Sequence, residues 1–216
     1  MDEVLAIDSA ILPGNRAPRG RSVIASIVGQ TGAPTRVWRG GAWRTTHGWT
    51  DRRVYRLAPG LVRTGYLIEV PDIRLFPAAF GARSVLFHAG MELWPMNAGL
   101  RALGWLRRRL PARLRPGFAA PGFVRVIQRA AKLFLPFGSD RGGMSVAVVG
   151  RVAGEARVRT WTLVAGAGEG PFVPAIVCRA LLRDVDRLAP GARPCLAELD
   201  LAAAETAMAD LDVTTR

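Results

Sequence analysis

Apolar residues follow strand-like patterns in the first part of the chain. Residues 4–12 form a short, partly β-branched run that stops at Pro13-Gly14, which predicts a strand ending in a turn. Residues 63–70 alternate with a period of two and predict a second strand, closed by Pro71. Residues 84–89 are apolar on both faces, which predicts a buried strand at the centre of a sheet.

Two turn signals predict antiparallel hairpins. A Gly40-Gly41 pair separates two short segments that each carry a tryptophan. Farther along, the turn at 153–155 separates two alternating segments, 139–152 and 156–165. The sheet is therefore expected to contain several antiparallel pairs.

The pattern changes to helical spacing in the middle of the chain. Apolar residues recur every three or four positions over 93–110 and 123–134, on either side of a Pro/Gly break. The outer faces of both helices are basic. A further stripe covers about 172–188, and residues 21–29, which fit either a helix or a strand, favour a helix. The first two stripes consist of Leu93, Met96, Leu100, Leu103, Leu106 and Leu110, and of Phe123, Val126, Ile127, Ala130, Leu133 and Phe134.

Together these elements predict an α+β fold in which amphipathic helices pack on a mixed, largely antiparallel sheet. With 216 residues, half of them apolar, the chain can bury a core without disulfides or metals. We interpret residues 1–200 as one domain, with 93–135 as a helical insertion, and 201–216 as a C-terminal helix or tail.

The basic charge of the chain permits several kinds of partner. It has 30 basic and 17 acidic residues, a formal charge of +13, and Lys132 is its only lysine. Such a charge suits nucleic acid, anionic lipid or a phosphorylated small molecule, although a GC-rich genome would also produce scattered arginines. Nucleic acid is the least favoured partner, because no aromatic stacking platform or recognition motif accompanies the charge.

Several features favour a cytoplasmic location. Charged residues interrupt every apolar segment, so no membrane-spanning helix is expected. The first ten residues are acidic and do not have the pattern of a signal peptide. Cys178 and Cys195 are too few and too far apart for a disulfide framework or a zinc site, and we interpret them as reduced thiols.

The segment 161–182, WTLVAGAGEGPFVPAIVCRALL, has the strand, glycine turn and helix of a dinucleotide-binding unit. That fingerprint requires three glycines as GxGxxG, the third for close packing of helix on strand. Gly166 and Gly168 match the first two, but Pro171 occupies the third position. Asp184 and Asp186, acidic residues near the required distance, fall inside a predicted helix and do not end a strand. We therefore expect a structural turn and no cofactor bound by this chain alone.

Short motifs along the chain occur in the order found in one enzyme family. PGNRAPRG near the start is followed by the Trp-rich hairpin, EVPD with LFPAAFG, FHAG, GGMSVAVVG, RTWTLVAGAGEGPFVP and GARPC. In order and spacing they resemble the C-terminal, substrate-binding half of saccharopine dehydrogenase-like NAD(P)-dependent oxidoreductases. The similarity extends over roughly residues 5–200.

This resemblance implies that two domains have separate roles in one reaction. In the family, an N-terminal Rossmann domain holds NAD(P), and an α+β domain covers the nicotinamide and binds the substrate. Because Met1 lies almost where the second domain would begin, the resemblance implies either a truncated gene product or a Rossmann domain on a partner chain. A homo-oligomer is a further arrangement. Whether the chain is itself an enzyme therefore stays open, since hydride transfer requires the cofactor beside the substrate carbon.

Four residues are candidates for binding a small-molecule substrate. Arg16 and Arg19 lie on a Gly/Pro-rich loop and could clamp a carboxylate or phosphate, or form ordinary surface ion pairs. Asp72 could orient an arginine, although an aspartate after a proline more often caps a turn. His88 could act in acid–base chemistry or be a hydrogen-bonded core histidine. No catalytic residue or metal ligand is assigned.

The helical insertion suggests an alternative function, that of a peripheral membrane-associated basic module without catalysis. Leucine-rich helices flanked by arginines have the composition of helices that lie on anionic bilayers, but they also suit a core-packing pair with a solvated outer face. The chain has no GxSxG, HExxH or P-loop sequence and no Cys/His cluster, so the corresponding hydrolases, zinc enzymes and NTPases have no support. The arginines of the insertion that favour the membrane are Arg101, Arg107, Arg108, Arg109, Arg113 and Arg115.

Overall fold

The chain folds into an α+β structure around one mixed, largely antiparallel sheet, as the sequence predicts. The computed structural model describes residues 1–183 and 185–216. The strands of this part of the chain are β1 (Glu3–Leu12), β2 (Pro34–Arg39), β3 (Ala42–His47), β4 (Arg53–Ala58), β5 (Leu61–Leu67), β6 (Ser84–Ala89), β7 (Gly142–Val152), β8 (Glu155–Ala165) and β9 (Val213–Thr215).

Helices flank the sheet and connect its strands. Within the same residues, the α-helices are α1 (Arg21–Gln30), α2 (Asp72–Phe80), α3 (Trp94–Arg109), α4 (Pro121–Lys132), α5 (Ile176–Arg183) and α6 (Leu201–Ala207), and 3₁₀ segments cover Ala112–Ala119, Gly170–Ala175 and Val185–Arg187. The segment 21–29 is thus helical, and the two hairpins expected around Gly40-Gly41 and 153–155 are both present.

Strand β1 lies inside the sheet because it pairs with a neighbour on each side. It runs parallel to β6 and antiparallel to β7, so that Ile11 lies beside both Ala89 and Met144. The strand order is β3-β2-β6-β1-β7-β8-β9, and the β4–β5 hairpin is attached through β5 to β6. The predicted central strand 84–89 is therefore β6, bonded to three other strands.

The two faces of the sheet pack against different elements. On the first, here called the helix face, Ile7 and Val85 pack against Ile73 of α2. On the second, here called the hairpin face, Leu12 and Val164 pack against the β4–β5 hairpin. Because successive residues of a strand point to opposite faces, the segment from Leu86 to Ala89 contributes to both cores.

Helix α3 lies close to the segment after α1 at Gly104. A Cβ atom on Gly32, whose φ is +67°, would lie 2.5 Å from the carbonyl oxygen of Gly104, so the two backbones touch. This contact turns the glycine side of α3 inward. Leu106 is consequently 44% exposed, where the sequence pattern predicted a buried stripe. Val126 of α4 is 58% exposed and departs from its predicted stripe in the same way.

The segment after β8 differs from the single helix predicted over 172–188. It begins as the 3₁₀ segment Gly170–Ala175, and regular α-helix starts only at Ile176. Pro171 and Pro174 have no backbone N–H, so neither can donate the i→i−4 hydrogen bond of a regular α-helix.

Residues near the C-terminus pack into the fold. Ala207 and Met208 are buried beside Leu163 of β8, and β9 pairs with the outer edge of β8. The sequence pattern predicted neither β9 nor β4, and it also did not predict α2, which contains Pro77.

Candidate functional site

A large cavity opens on the helix face of the sheet, with a volume of about 820 Å³. Its floor is a row of four apolar side chains on four neighbouring strands: Ala89, Ile11, Met144 and Leu163. The register of the sheet creates this row, because the four residues are cross-strand partners and point to the same face.

Helices form the walls of the cavity. Helix α1 contributes Val23 and Ile27 on one side, and the opposite side is formed by Val173, Ile176 and Met208. The lining is mostly aliphatic, so water in the cavity has few hydrogen-bond partners.

Ile11 shows that the cavity is not filled by the chain itself. It is 39% exposed although it lies in a strand with neighbours on both sides. The side chains next to it on the opposite face, Ala10 and Leu12, are each 1% exposed. An apolar floor left open inside a sheet is typical of a ligand site.

Arg19 places a cation at the edge of this apolar space. Its guanidinium donates to the carbonyl oxygens of Gly14 at 3.1 Å and Asn15 at 3.2 Å. Burial lowers the pKa of Arg19, and the negative charge of Glu92 opposes that shift only in part. The side chain stays cationic at neutral pH, because arginine titrates far above that range.

A network centred on Glu92, here called the Glu92 anchor, fixes the loop that carries Arg19. The carboxylate accepts the backbone N–H of Asn15 at 2.7 Å and of Ser139 at 2.8 Å, and pairs with the guanidinium of Arg63 at 2.8 Å. Burial raises the pKa of Glu92, but these hydrogen bonds and the charge of Arg63 together hold it below its usual value. The anchor is therefore ionised at neutral pH.

Asn15 completes the clamp on the loop. It is fully buried, and its side-chain amide donates to the carbonyls of Phe134 at 2.6 Å and Phe137 at 2.8 Å. The loop is thus tied to the segment that follows α4. This rigidity holds the Arg19 guanidinium in one place, as a binding site requires.

Few other polar groups line the cavity. Asp140 lies at its exposed rim and Ser26 on α1. The indole of Trp49 forms part of the wall, and its Nε1–H is buried without an acceptor among residues 1–183 and 185–216. A buried donor of this kind is available to a ligand or a water molecule.

A second polar cluster lies on the hairpin face, away from the cavity. The Asp8 carboxylate lies 3.0 Å from Nδ1 of His88 and 2.7 Å from the guanidinium of Arg53, and it accepts the Tyr55 hydroxyl at 3.2 Å. Burial alone would raise the pKa of Asp8. The hydrogen bonds and charges of His88 and Arg53 together lower this pKa by more, so it lies below its usual value. Burial and the adjacent Asp8 charge raise the pKa of Tyr55.

This cluster is structural in its geometry. His88 is fully buried, and its Nε2 has no hydrogen-bond partner in the described part of the chain. The next residue, Ala89, lines the cavity, so the imidazole points to the opposite face of the sheet. His88 therefore meets Asp8 inside the fold and does not face the open site.

The four candidate residues do not form one site. Arg19 lines the cavity, whereas Arg16 is exposed and donates to the carbonyl of Pro136 at 3.3 Å. Asp72 is the first residue of α2 and not the end of a strand, and burial raises its pKa. Arg16, Asp72 and His88 lie outside the cavity lining. The sequence reasoning missed the roles of Asn15 and Glu92, although both flank predicted elements.

The glycine-rich turn after β8 has a steric role. The N–H of Gly166 donates to the carbonyl of Asp212 at 2.8 Å, and a Cβ on Gly166 would collide with the Asp212 carboxylate. Gly168 has a φ of +75°, which favours glycine. The turn thus accommodates the chain that enters β9. Of the two acidic residues considered above for a dinucleotide fingerprint, Asp184 lies outside the described residues, and Asp186 lies in the 3₁₀ segment Val185–Arg187.

A shallower groove of about 480 Å³ lies between α3 and the loop at 49–52. It is lined by Arg52, Arg101 and Arg108 together with Tyr66 and Trp105. The groove is basic and aromatic, in contrast to the aliphatic cavity on the helix face.

The described residues contain neither a membrane-spanning helix nor a cluster of metal ligands. Among the described residues, no helix is both long and apolar enough to cross a membrane. Within the same residues, no three His, Cys, Asp or Glu side chains converge as a metal site would require.

Comparisons with models of known protein families and with curated proteins give no match to this sequence.

Proposed function

We propose that this chain is the substrate-binding domain of a saccharopine dehydrogenase-like oxidoreductase, and that its substrate is a mostly apolar molecule with one acidic group. The observation that carries the proposal is the open cavity of about 820 Å³ on the helix face. Sites for small molecules are typically concave, mostly apolar and about 300–1,000 Å³ in volume. The order of the sequence motifs supports the reaction class.

The lining of the cavity favours an apolar substrate body. Ile11, Ala89 and Met144 present aliphatic surface that a ligand would remove from water. Burial of such surface contributes about 25 cal/mol per Å². A sugar or a nucleotide would instead leave its hydroxyl groups without partners on this floor.

Arg19 favours an acidic group at one end of the substrate. Two of its hydrogen bonds go to the carbonyls of Gly14 and Asn15, and these leave other guanidinium N–H groups for a carboxylate. Glu92 does not neutralise Arg19 by direct contact, because its carboxylate is already paired with Arg63 and with backbone N–H groups. The cation at the cavity edge therefore remains available.

The cofactor in this proposal is NAD(P), held by a Rossmann domain outside these 216 residues. The nicotinamide supplies hydride chemistry, while this chain binds and orients the substrate and excludes water from its apolar part. The glycine-rich turn supports a cofactor site on another domain, because its first glycine, Gly166, makes room for Asp212.

A pair of fluorescent ligands tests the substrate class. We expect the chain to bind a fluorescent long-chain carboxylic acid saturably, and its methyl ester more weakly. Arg19→Met should weaken binding of the acid about 10- to 100-fold, since a charged hydrogen bond contributes about 1.5–3 kcal/mol, and should change ester binding little. Arg16→Met is the matched control, because Arg16 lies on the same loop outside the cavity lining.

The outcomes separate ligand class from domain role. No saturable binding of either compound would overturn the cavity as a site, and equal loss with Arg16→Met would overturn the role of Arg19. The domain role is tested by titrating the chain with NADH and NADPH. We expect no saturable change in nucleotide fluorescence, and saturable micromolar binding would contradict a cofactor held elsewhere.

A further inference from the structure

The helical insertion, residues 93–135 and here called the basic insertion, has an extreme charge composition. It contains nine basic residues and no acidic residue. The rest of the chain contains all 17 acidic residues, so the insertion is the most polarised part of the sequence. Such a segment attracts polyanionic surfaces.

One of these cations holds the insertion to the rest of the fold. Arg107 donates to the carbonyl oxygens of Gly29 at 2.6 Å and Thr31 at 3.1 Å, at the end of α1. A second cation, Arg115, donates to the carbonyl of Leu110 at 3.0 Å, within the insertion itself. The other seven are exposed and form no ion pair within residues 1–183 and 185–216; they are Arg101, Arg108, Arg109, Arg113, Arg125, Arg129 and Lys132.

Large apolar side chains are exposed among these cations. Trp94 is 77% exposed, Trp105 51% and Leu133 75%. They are not needed for the core, because other side chains of the same helices, Leu103 of α3 and Val124 of α4, already pack with α1. A helix pair with only a solvated basic face would not expose two tryptophans and a leucine in this way.

On α3, tryptophan and arginine side chains lie on the same face of the helix. Trp94, Ala98, Arg101, Trp105 and Arg108 are spaced by four, three, four and three residues, which places them along one side of the helix. The guanidinium of Arg109 also lies 4.9 Å from the ring centre of Trp105. Tryptophan beside arginine is typical of side chains at a membrane interface.

We infer that the basic insertion docks the protein on an anionic lipid bilayer, with Trp94, Trp105 and Leu133 entering the interface and the exposed arginines contacting lipid phosphates. Charge complementarity selects an anionic surface, and the exposed apolar side chains favour a bilayer over nucleic acid, which would leave them in water. The inference is independent of the cavity and of its ligand.

Vesicle co-sedimentation of the whole chain tests this inference. We expect binding to vesicles of phosphatidylcholine with phosphatidylglycerol, weakening as salt rises, and little binding to phosphatidylcholine alone. Each basic residue near a charged membrane contributes about 1 kcal/mol, so replacing Arg108, Arg113, Arg125 and Arg129 by Gln should weaken binding about a hundredfold or more. These side chains are exposed, and the thermal midpoint should change little.

A matched control variant distinguishes an effect of this surface from an effect of the net charge of the chain. Arg44, Arg56, Arg157 and Arg159 are also exposed, and replacing all four by Gln removes the same charge elsewhere. That control should retain most vesicle binding. Equal loss in both variants, or no sedimentation of the wild-type chain at low salt, would overturn the inference.

Tryptophan fluorescence tests separately whether the exposed apolar side chains enter the bilayer. Brominated lipid should quench the tryptophan fluorescence of the bound wild-type chain, and Trp94→Phe with Trp105→Phe should remove most of that quenching. Unchanged quenching would show that these side chains stay outside the interface. Binding of a labelled DNA duplex as tight as that of vesicles would favour a nucleic-acid surface and contradict the proposal.

Discussion

Arg63 and Glu92 form an ion pair of 2.8 Å in which the side chains are only 14% and 11% exposed. The pair joins strand β5 to the segment that follows β6. Because the same carboxylate accepts the N–H groups of Asn15 and Ser139, it also fixes the loop that carries Arg19. Stability and the geometry of the cavity edge therefore depend on one carboxylate.

The Glu92 anchor predicts a loss of stability in acid. Burial raises the pKa of Glu92, but its hydrogen bonds and the charge of Arg63 outweigh that effect and hold the pKa below its usual value in the folded chain, so the unfolded chain takes up a proton first as the pH falls. The stabilisation is complete above the unfolded-state pKa and is lost as the pH falls through the folded-state pKa. Urea unfolding measured across this range should show a declining free energy of unfolding.

Glu92→Gln should destabilise the chain by about 3–5 kcal/mol at neutral pH, because it leaves Arg63 nearly buried without its anion. The variant should also show a flatter decline in acid. Glu198→Gln is the control, since Glu198 pairs with Arg193 at an exposed site and should cost little. An equally steep acid decline in Glu92→Gln would show that other carboxylates control it.

Local sequence patterns predicted much of this fold because they reflect local physics. The hairpins at Gly40-Gly41 and 153–155 depend on turn residues between alternating strands, and both occur. The central strand 84–89 was identified by its apolar residues alone. In contrast, β9 has three residues and exists through pairing with β8, and such an element leaves no periodic pattern.

The candidate site depended on information that a linear pattern does not contain. His88 was a candidate for chemistry or for the core, and its Asp8 partner is 80 residues away in sequence, brought near by the parallel pairing of β1 with β6. The cavity floor likewise requires the register of four strands. Arg19 was identified as a candidate from its loop, but only the fold shows that it lines the cavity whereas Arg16 does not.

The contributions of Asp8 and Tyr55 to the free energy of unfolding should not be additive. Asp8→Asn should destabilise the chain by about 2–3 kcal/mol, because His88 and Arg53 lose their anion, and Tyr55→Phe by about 1 kcal/mol. The double variant should be less destabilised than the sum by at least about 0.5 kcal/mol, as for groups in one network. Urea denaturation measures all three values, and strict additivity would show that Tyr55 and Asp8 act independently.

Two glycines should respond in opposite directions to the same substitution. A Cβ on Gly90 would collide with the backbone carbonyl of Thr64, so Gly90→Ala should destabilise the chain by about 2 kcal/mol or more. Gly99 lies inside α3 with open space around it, and Gly99→Ala should stabilise the chain by up to about 1 kcal/mol. Thermal unfolding of both variants provides the comparison. Equal midpoints would contradict the close approach of β6 to β5 at Gly90.

Filling the cavity should abolish ligand binding without unfolding the chain. Ile11 stands on the cavity floor and is 39% exposed, so Ile11→Trp can extend into a space of about 820 Å³ without displacing core side chains. We expect binding of the fluorescent carboxylic acid to weaken at least about tenfold, equivalent to about 1.4 kcal/mol, with the thermal midpoint retained or raised. Val62→Trp is the control, because Val62 is 46% exposed on β5 and does not line the cavity. Unchanged affinity in Ile11→Trp, measured by fluorescence titration, would place the ligand elsewhere on the molecule.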